Sequence, residues 1–168
     1  RPYLHFSSAG IIRTPVRLGC ARITDERPKG LRNVADGKAE SKVLVLVGSL
    51  RAASLNRQLA ELAAESAPDG VTLNIYEGLG DLPFYNEDID GATPPAAYST
   101  FRQQVSSSDA VLFVTPEYNR SVPAVLKNAL DVGSRPYGHN AFNGKPGAII
   151  TLSPGALGGF GAHHHLRQ

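Results

Sequence analysis

Val43 to Val47 is an unbroken run of five apolar residues, three of them β-branched, and it ends at Gly48. A run this short with no polar alternation fits a strand buried on both faces, as in a parallel sheet. The polar stretch Ser49 to Ser54 follows. Then Leu55, Leu59, Leu62 and Ala63 recur at helical spacing, with Ser54 as the N-cap. A strand that stops at Gly and turns through hydroxyls and an Arg into a helix is built to hold a phosphate. The helix N-terminus offers unpaired N–H groups and partial positive charge. Ser49 and Ser54 add O–H donors, and Arg51 adds a forked, charged one. An ordinary βα turn with solvated polar residues would show the same local pattern. Two phosphate loops are excluded here: the Gly-x-x-x-x-Gly-Lys-Ser/Thr of nucleotide hydrolases, and a Gly-x-Gly-x-x-Gly after the strand.

The same reading extends down the chain. Val71 to Tyr76 alternates as a second strand after the Pro68-Asp69-Gly70 turn. Glu77 to Pro95 is a long loop holding Asp81-Leu-Pro-Phe-Tyr-Asn-Glu-Asp88, and loops of that length are usually functional. Ala96 to Ser107 reads as a helix with Tyr98, Phe101 and Val105 on one face. Asp109 to Thr115 is a third strand, followed by Pro116-Glu117-Tyr118-Asn119 and a helix from about Val122 to Val132, with Pro123 in its first turn. Ala148 to Leu152 is a fourth strand, then comes the Gly-rich Ser153 to Gly159, then a helix from Phe160. Strand and helix alternate throughout, which predicts a doubly wound α/β sheet. Ligands in such sheets bind outside the carboxyl ends of the strands, where strand order reverses. Loops 48–54, 116–121 and 153–159 all fall there.

Charge divides the chain. Residues 1–40 carry eight Lys/Arg against four Asp/Glu, whereas residues 41–168 carry nine against eleven. The domain expected over 41–168 is therefore mildly acidic, and nucleic-acid binding is not read from it. Residues 1–40 lack sustained periodicity and are expected to be a poorly ordered leader or extension. Their early Arg and Ser/Thr content also resembles an organelle transit segment. No apolar run is long enough to span a bilayer. The single cysteine, Cys20, cannot form an internal disulfide, so a reducing, cytoplasmic location is expected. His163-His164-His165 cannot converge on one ion from a helix, because consecutive residues point about 100° apart. Asp81, Glu87, Asp88 and Asp90 lack the ordered spacing of a calcium loop.

Three stretches together resemble the NAD(P)H-dependent FMN reductase family, the flavodoxin-like group that includes chromate, quinone and azo-dye reductases. They are Gly48-Ser-Leu-Arg-Ala-Ala-Ser-Leu-Asn56, Pro116-Glu-Tyr-Asn-Arg-Ser-Val-Pro-Ala-Val-Leu-Lys-Asn128 and Ser153-Pro-Gly-Ala-Leu-Gly-Gly159, with Asp81–Asp88 matching a further family loop. The likeness runs from about Lys42 to Gln168. It implies a flavodoxin-like parallel sheet and an FMN site. Ser49, Arg51, Ser54 and Asn56 would hold the phosphate. Pro116, Glu117, Tyr118 and Asn119 would lie against the isoalloxazine, mostly through backbone N–H groups. Ser153, Gly155, Gly158 and Gly159 would close the pocket. NADPH or NADH would be the co-substrate, and a quinone, azo dye, metal oxyanion or similar small molecule the acceptor.

No side chain is assigned as a general base. Glu117 is expected to be structural or a subunit contact, and Arg120 and Lys127 to be contact residues or solvated charge. The resemblance also implies a homodimer or homotetramer, with the 81–90 loop and the helix after Val122 at the interface, and neither nucleic acid nor membrane as partner. Family members continue into a fifth strand and a last helix. Four of the usual five strands are therefore expected here, with an uncovered fourth strand and weakened stability. A flavodoxin-type electron carrier and a non-catalytic protein reusing the fold are the alternatives.

Overall fold

The computed structural model describes residues 40–168, and expectations about the leader lie outside the described residues. Strand β1 spans Ser41–Val47, helix α1 Leu55–Glu65, β2 Val71–Ile75 and α2 Ala96–Ser107. Then come β3 at Ala110–Thr115, α3 at Ala124–Gly133, β4 at Gly147–Thr151 and α4 at Phe160–Leu166. All strand pairs are parallel, in the order β2-β1-β3-β4. Order therefore reverses between β1 and β3: the chain leaves β1 toward one edge of the sheet and β3 toward the other. No helix among the described residues is long and apolar enough to cross a membrane.

Alternation along β1 divides the core into two layers. Leu44 and Leu46 pack with Tyr98, Phe101 and Val105 of α2 and with Leu126, Ala129 and Val132 of α3. Val45 and Val47 pack with Ala60 and Leu59 of α1 and with Leu112 and Val114 of β3. Val45, Leu46 and Val114 are completely buried, each contributing roughly 1.5–3 kcal/mol by area removed from water.

Helix α1 buries only part of its apolar stripe. Leu55 and Leu62 are 51% and 58% exposed, while Asn56 and Ala60 are the buried pair. Residues 55 and 62 lie seven apart on one flank of the helix. The sheet meets the neighbouring stripe 56, 59, 60 and 63, so the apolar face is wider than the surface it covers. Boundaries differ by a residue or two. Helix α3 starts at Ala124, with Pro123 at the cap position and its carbonyl accepting from Leu126 and Lys127.

The 77–95 stretch is anchored along its length. It contains two short 3-10 turns, Gly78–Asp81 and Glu87–Ile89, and it buries Leu79 and Leu82. The amide of buried Asn128 on α3 accepts from Tyr85 N (2.8 Å) and donates to Pro83 O (2.9 Å) and Leu82 O (3.2 Å). Tyr98 Oη donates to Phe84 O, and Arg102 makes a forked pair with Asp90 (2.7 and 2.6 Å).

The ends of β1 and β3 approach so closely that only hydrogen fits between them. A Cβ on Gly48 would overlap the Thr115 hydroxyl and lie 2.8 Å from Thr115 Cβ. Gly147 on β4 has nothing closer than a Phe113 ring carbon at 3.9 Å. Gly48→Ala is therefore expected to lower unfolding free energy by about 1–3 kcal/mol in a urea melt. Gly147→Ala should be neutral or stabilising by up to ~1 kcal/mol.

Candidate functional site

Beyond Gly48 the chain turns tightly, with Ser54 N donating to Arg51 O (3.1 Å). Ser54 is buried, and its Oγ caps α1 by accepting from Arg57 N (3.2 Å), leaving its own proton free to donate. Among the described residues, the N–H groups of Ser49, Leu50, Arg51, Ala52 and Ala53 donate to no protein acceptor. Arg51 is exposed and pairs with no carboxylate among the described residues. Five free N–H groups, a guanidinium and two hydroxyls at a helix N-terminus are a donor set suited to a phosphate dianion.

Arg57, one turn further on, is committed elsewhere. It forks onto Glu77 (2.6 and 2.6 Å) and reaches Glu61 (2.7 Å). The hydrogen bonds it donates to Glu77 and then to Glu61 make its proton harder still to remove, and the same Arg57 bond lowers the Glu77 pKa. These three residues line a cleft of about 380 Å³ together with Ser49, Leu50, Arg51 and Ala52.

Beyond β3 the chain makes a two-residue hairpin. Tyr118 N donates to Ser121 O (3.1 Å) and Ser121 N to Tyr118 O (3.0 Å). Asn119 and Arg120 take φ of 49° and 64°, the type I′ turn geometry. Asn tolerates this region, whereas Arg there stores about 1–2 kcal/mol of backbone strain. Tertiary contacts hold the turn. Glu117 pairs with Arg120 (2.8 Å), and its Oε2 accepts from Gly161 N (2.5 Å) and Ala162 N (3.2 Å) at the start of α4. Ser121 Oγ bonds His165 Nδ1 (2.9 Å) on the same helix. A Cβ at Gly161 would lie 2.7 Å from Arg120 O, so α4 docks only with glycine there. Glu117 thus turns its carboxylate to α4 and has the structural role expected of it. Pro116 is buried, and Tyr118 is left 44% exposed above the strand ends.

The Gly-rich loop leaves β4 beside these two. Leu152 N donates to Thr115 O (3.2 Å), and Leu152 O accepts from Asn56 Nδ2 (2.9 Å). Gly158 and Gly159 have φ of 56° and 91°, and a Cβ at Gly159 would press on Thr151. Gly155 is different: its φ is not positive and a Cβ would meet nothing within 4 Å. Its backbone is open to solvent. Ser153 is half-buried at the mouth of the loop.

Eleven of the twelve residues singled out in the sequence therefore lie on loops at the carboxyl ends of β1, β3 and β4, and the twelfth, Asn56, lies in the first turn of α1 just after the first of those loops. Two have side chains turned away from the crevice, Glu117 to α4 and Asn56 to Leu152. Sequence reasoning missed the Arg57–Glu77 fork and the Asn128, Tyr98 and Arg102 anchors. Their partners lie 12 to 46 residues away, and nothing local announces them. Among the described residues, no group of His, Cys, Asp or Glu is arranged to hold a metal ion.

Residues 41–168 match the family model described as NADPH-dependent FMN reductase. A quinone reductase of Pseudomonas putida is 60% identical over 126 residues, which are 75% of this chain and 67% of that protein. A 2-hydroxy-1,4-benzoquinone reductase of a Burkholderia species is 50% identical over 75% of this chain and 68% of its own length. Among solved structures, the flavoenzyme NAD(P)H:(acceptor) oxidoreductase FerB of Paracoccus denitrificans superposes with a TM-score of 0.69 at 42% identity. The superposition covers 75% of this chain and 68% of that one.

Burial disfavours the Glu117 carboxylate, but the Ala162 and Gly161 N–H groups and Arg120 outweigh it and hold its pKa below the ordinary 4.5. A depressed carboxylate pKa gives stability that is present above the unfolded value and lost as pH falls through the folded one. The hairpin–α4 contact should therefore persist down to about pH 4.5 and weaken below it. The amide proton shift of Gly161, followed by NMR, should titrate with a midpoint below 4.5 and should stop doing so in Glu117→Gln.

Proposed function

The chain belongs to the NADPH-dependent FMN reductase family, and on that premise we propose that the loops at 48–54, 116–121 and 153–159 hold one FMN between them. It is an FMN-dependent oxidoreductase that draws on NADPH or NADH and passes electrons to a small-molecule acceptor such as a quinone. The observation that carries the site assignment is the arc of N–H groups from Ser49 to Ala53, which, like Arg51 beside it, has no partner among the described residues. That arc takes the cofactor phosphate, with the Ser49 and Ser54 hydroxyls adding donors.

The remaining residues position and shield. The backbone from Pro116 to Asn119 forms one wall, held rigid by the Glu117 and Ser121 contacts to α4. Gly155, with Ser153, Gly158 and Gly159, forms the other and lets backbone approach a flat ring. Tyr118, Leu50 and Leu157, 44%, 63% and 63% exposed, supply an apolar rim suited to a planar acceptor. Bound FMN supplies the hydride and electron chemistry itself. No protein proton donor is assigned, in keeping with a crevice whose polar groups are mainly backbone N–H.

We further infer a homodimer or homotetramer, with the 81–90 loop at the contact. That loop is pinned from within by Asn128 and Arg102 and yet leaves Phe84 78% and Ile89 41% exposed.

The test is NADPH and NADH oxidation by the FMN-loaded chain with excess benzoquinone, which also separates this reading from an electron carrier lacking a pyridine-nucleotide site. Acceptor-dependent turnover is expected. Arg51→Ala should weaken FMN binding about 10- to 100-fold, the worth of a charged hydrogen bond. Because Arg51 is exposed, the melt of the cofactor-free protein should move by no more than ~0.5 kcal/mol. A folded chain that oxidises neither nucleotide, or an Arg51→Ala variant that binds FMN as wild type does, would count against the assignment.

A further inference from the structure

Asn56 occupies the first turn of α1, on the face packed against the sheet, and is 4% exposed. Its Nδ2 donates to Leu152 O across 96 residues of sequence. Its Oδ1 is buried with no hydrogen-bond partner among the described residues. The opposite amide orientation would place Oδ1 against Leu152 O, two acceptors facing each other, so the observed orientation is the one that bonds.

This arrangement is a poor one for stability alone. An unsatisfied buried acceptor costs as much as, or more than, one neutral hydrogen bond gains net of desolvation. An apolar side chain of similar size would avoid that cost. The single bond its side chain makes joins two places that matter: the start of the helix that follows the free N–H arc, and the last residue before the Gly-rich loop. It spans β3, whose own end is tied to Leu152 through Thr115 O.

We propose that Asn56 is a positioning residue that fixes the spacing between the phosphate half of the site and the Gly-rich half. It touches neither the phosphate nor the ring. It acts through the Leu152 carbonyl, so that one ligand can engage both halves at once. The consequence is a chelate effect: each half keeps its own affinity without the tie, but the gain from joining them falls. The proposal rests on the FMN reading above for its ligand, and the tie itself is readable without any ligand.

The experiment uses Asn56→Leu, which removes both the tie and the orphaned acceptor, and Asn56→Asp, which keeps the shape but removes the donor. In the unliganded protein, amide exchange at Ser153 to Gly159 should quicken in both variants while exchange in β1 and β3 stays unchanged. Asn56→Leu should melt at or above the wild-type temperature, a result a merely structural role would not give. FMN affinity should fall about tenfold, the worth of one hydrogen bond at the upper end of its net range. Affinities for inorganic phosphate alone and for riboflavin alone should each change less than about twofold.

Unchanged FMN affinity, or equal weakening for FMN, phosphate and riboflavin, would overturn the proposal. So would unchanged loop exchange in a folded variant. If the wild-type chain binds no FMN, the functional reading fails, and the exchange data alone decide whether Asn56 holds the loop.

Discussion

The site depends on the close approach of Gly48 and Thr115. Here two neighbouring parallel strands end, and their chains leave in opposite directions, β1 to α1 on one face and β3 to α3 on the other. Divergence opens a crevice above the strand ends, and the missing Cβ of Gly48 lets its floor close. Gly48 N still donates to Val114 O (2.9 Å), so the ladder runs to the last residue before the turn. A side chain at 48 would push β1 from β3 and separate the loop at 49–54 from the hairpin. The two loops are set by strand geometry, and helix packing on both faces keeps the strands in place.

What the crevice offers is mostly backbone. The N–H groups after β1 are free because the turn and the first helical turn have no internal acceptors for them. The hairpin after β3 is strained at Arg120, and that strain persists because Glu117, Gly161 and Ser121 over-determine the turn. Fixed donors and glycine-lined space suit a rigid, planar, anionic cofactor that carries its own redox chemistry. On the proposed reading, specificity for the acceptor falls to the apolar rim.

How much the sequence revealed follows from the distance over which each interaction acts. The strand at Val43–Val47, the Ser54 cap and the span of α2 depend on neighbouring residues, and all three were legible. The carboxyl-edge clustering of the loops followed from element order and crossover handedness. The Arg57–Glu77 fork, the Asn128 anchor, the Asn56–Leu152 tie and the Glu117 cap join residues 20 to 96 apart, and no local pattern encodes them. The exposure of Leu55 and Leu62 was not legible, because periodicity gives the width of an apolar stripe but not which part the sheet covers.

The most direct test is an FMN titration of the isotopically labelled chain followed by backbone amide shifts. The amides of Ser49–Ala53, Tyr118–Arg120 and Gly155–Gly159 should move together and saturate at one equivalent, because a single ligand spans all three loops. Shifts confined to one loop, or separate saturation of the three, would contradict a single site built at the ends of β1, β3 and β4.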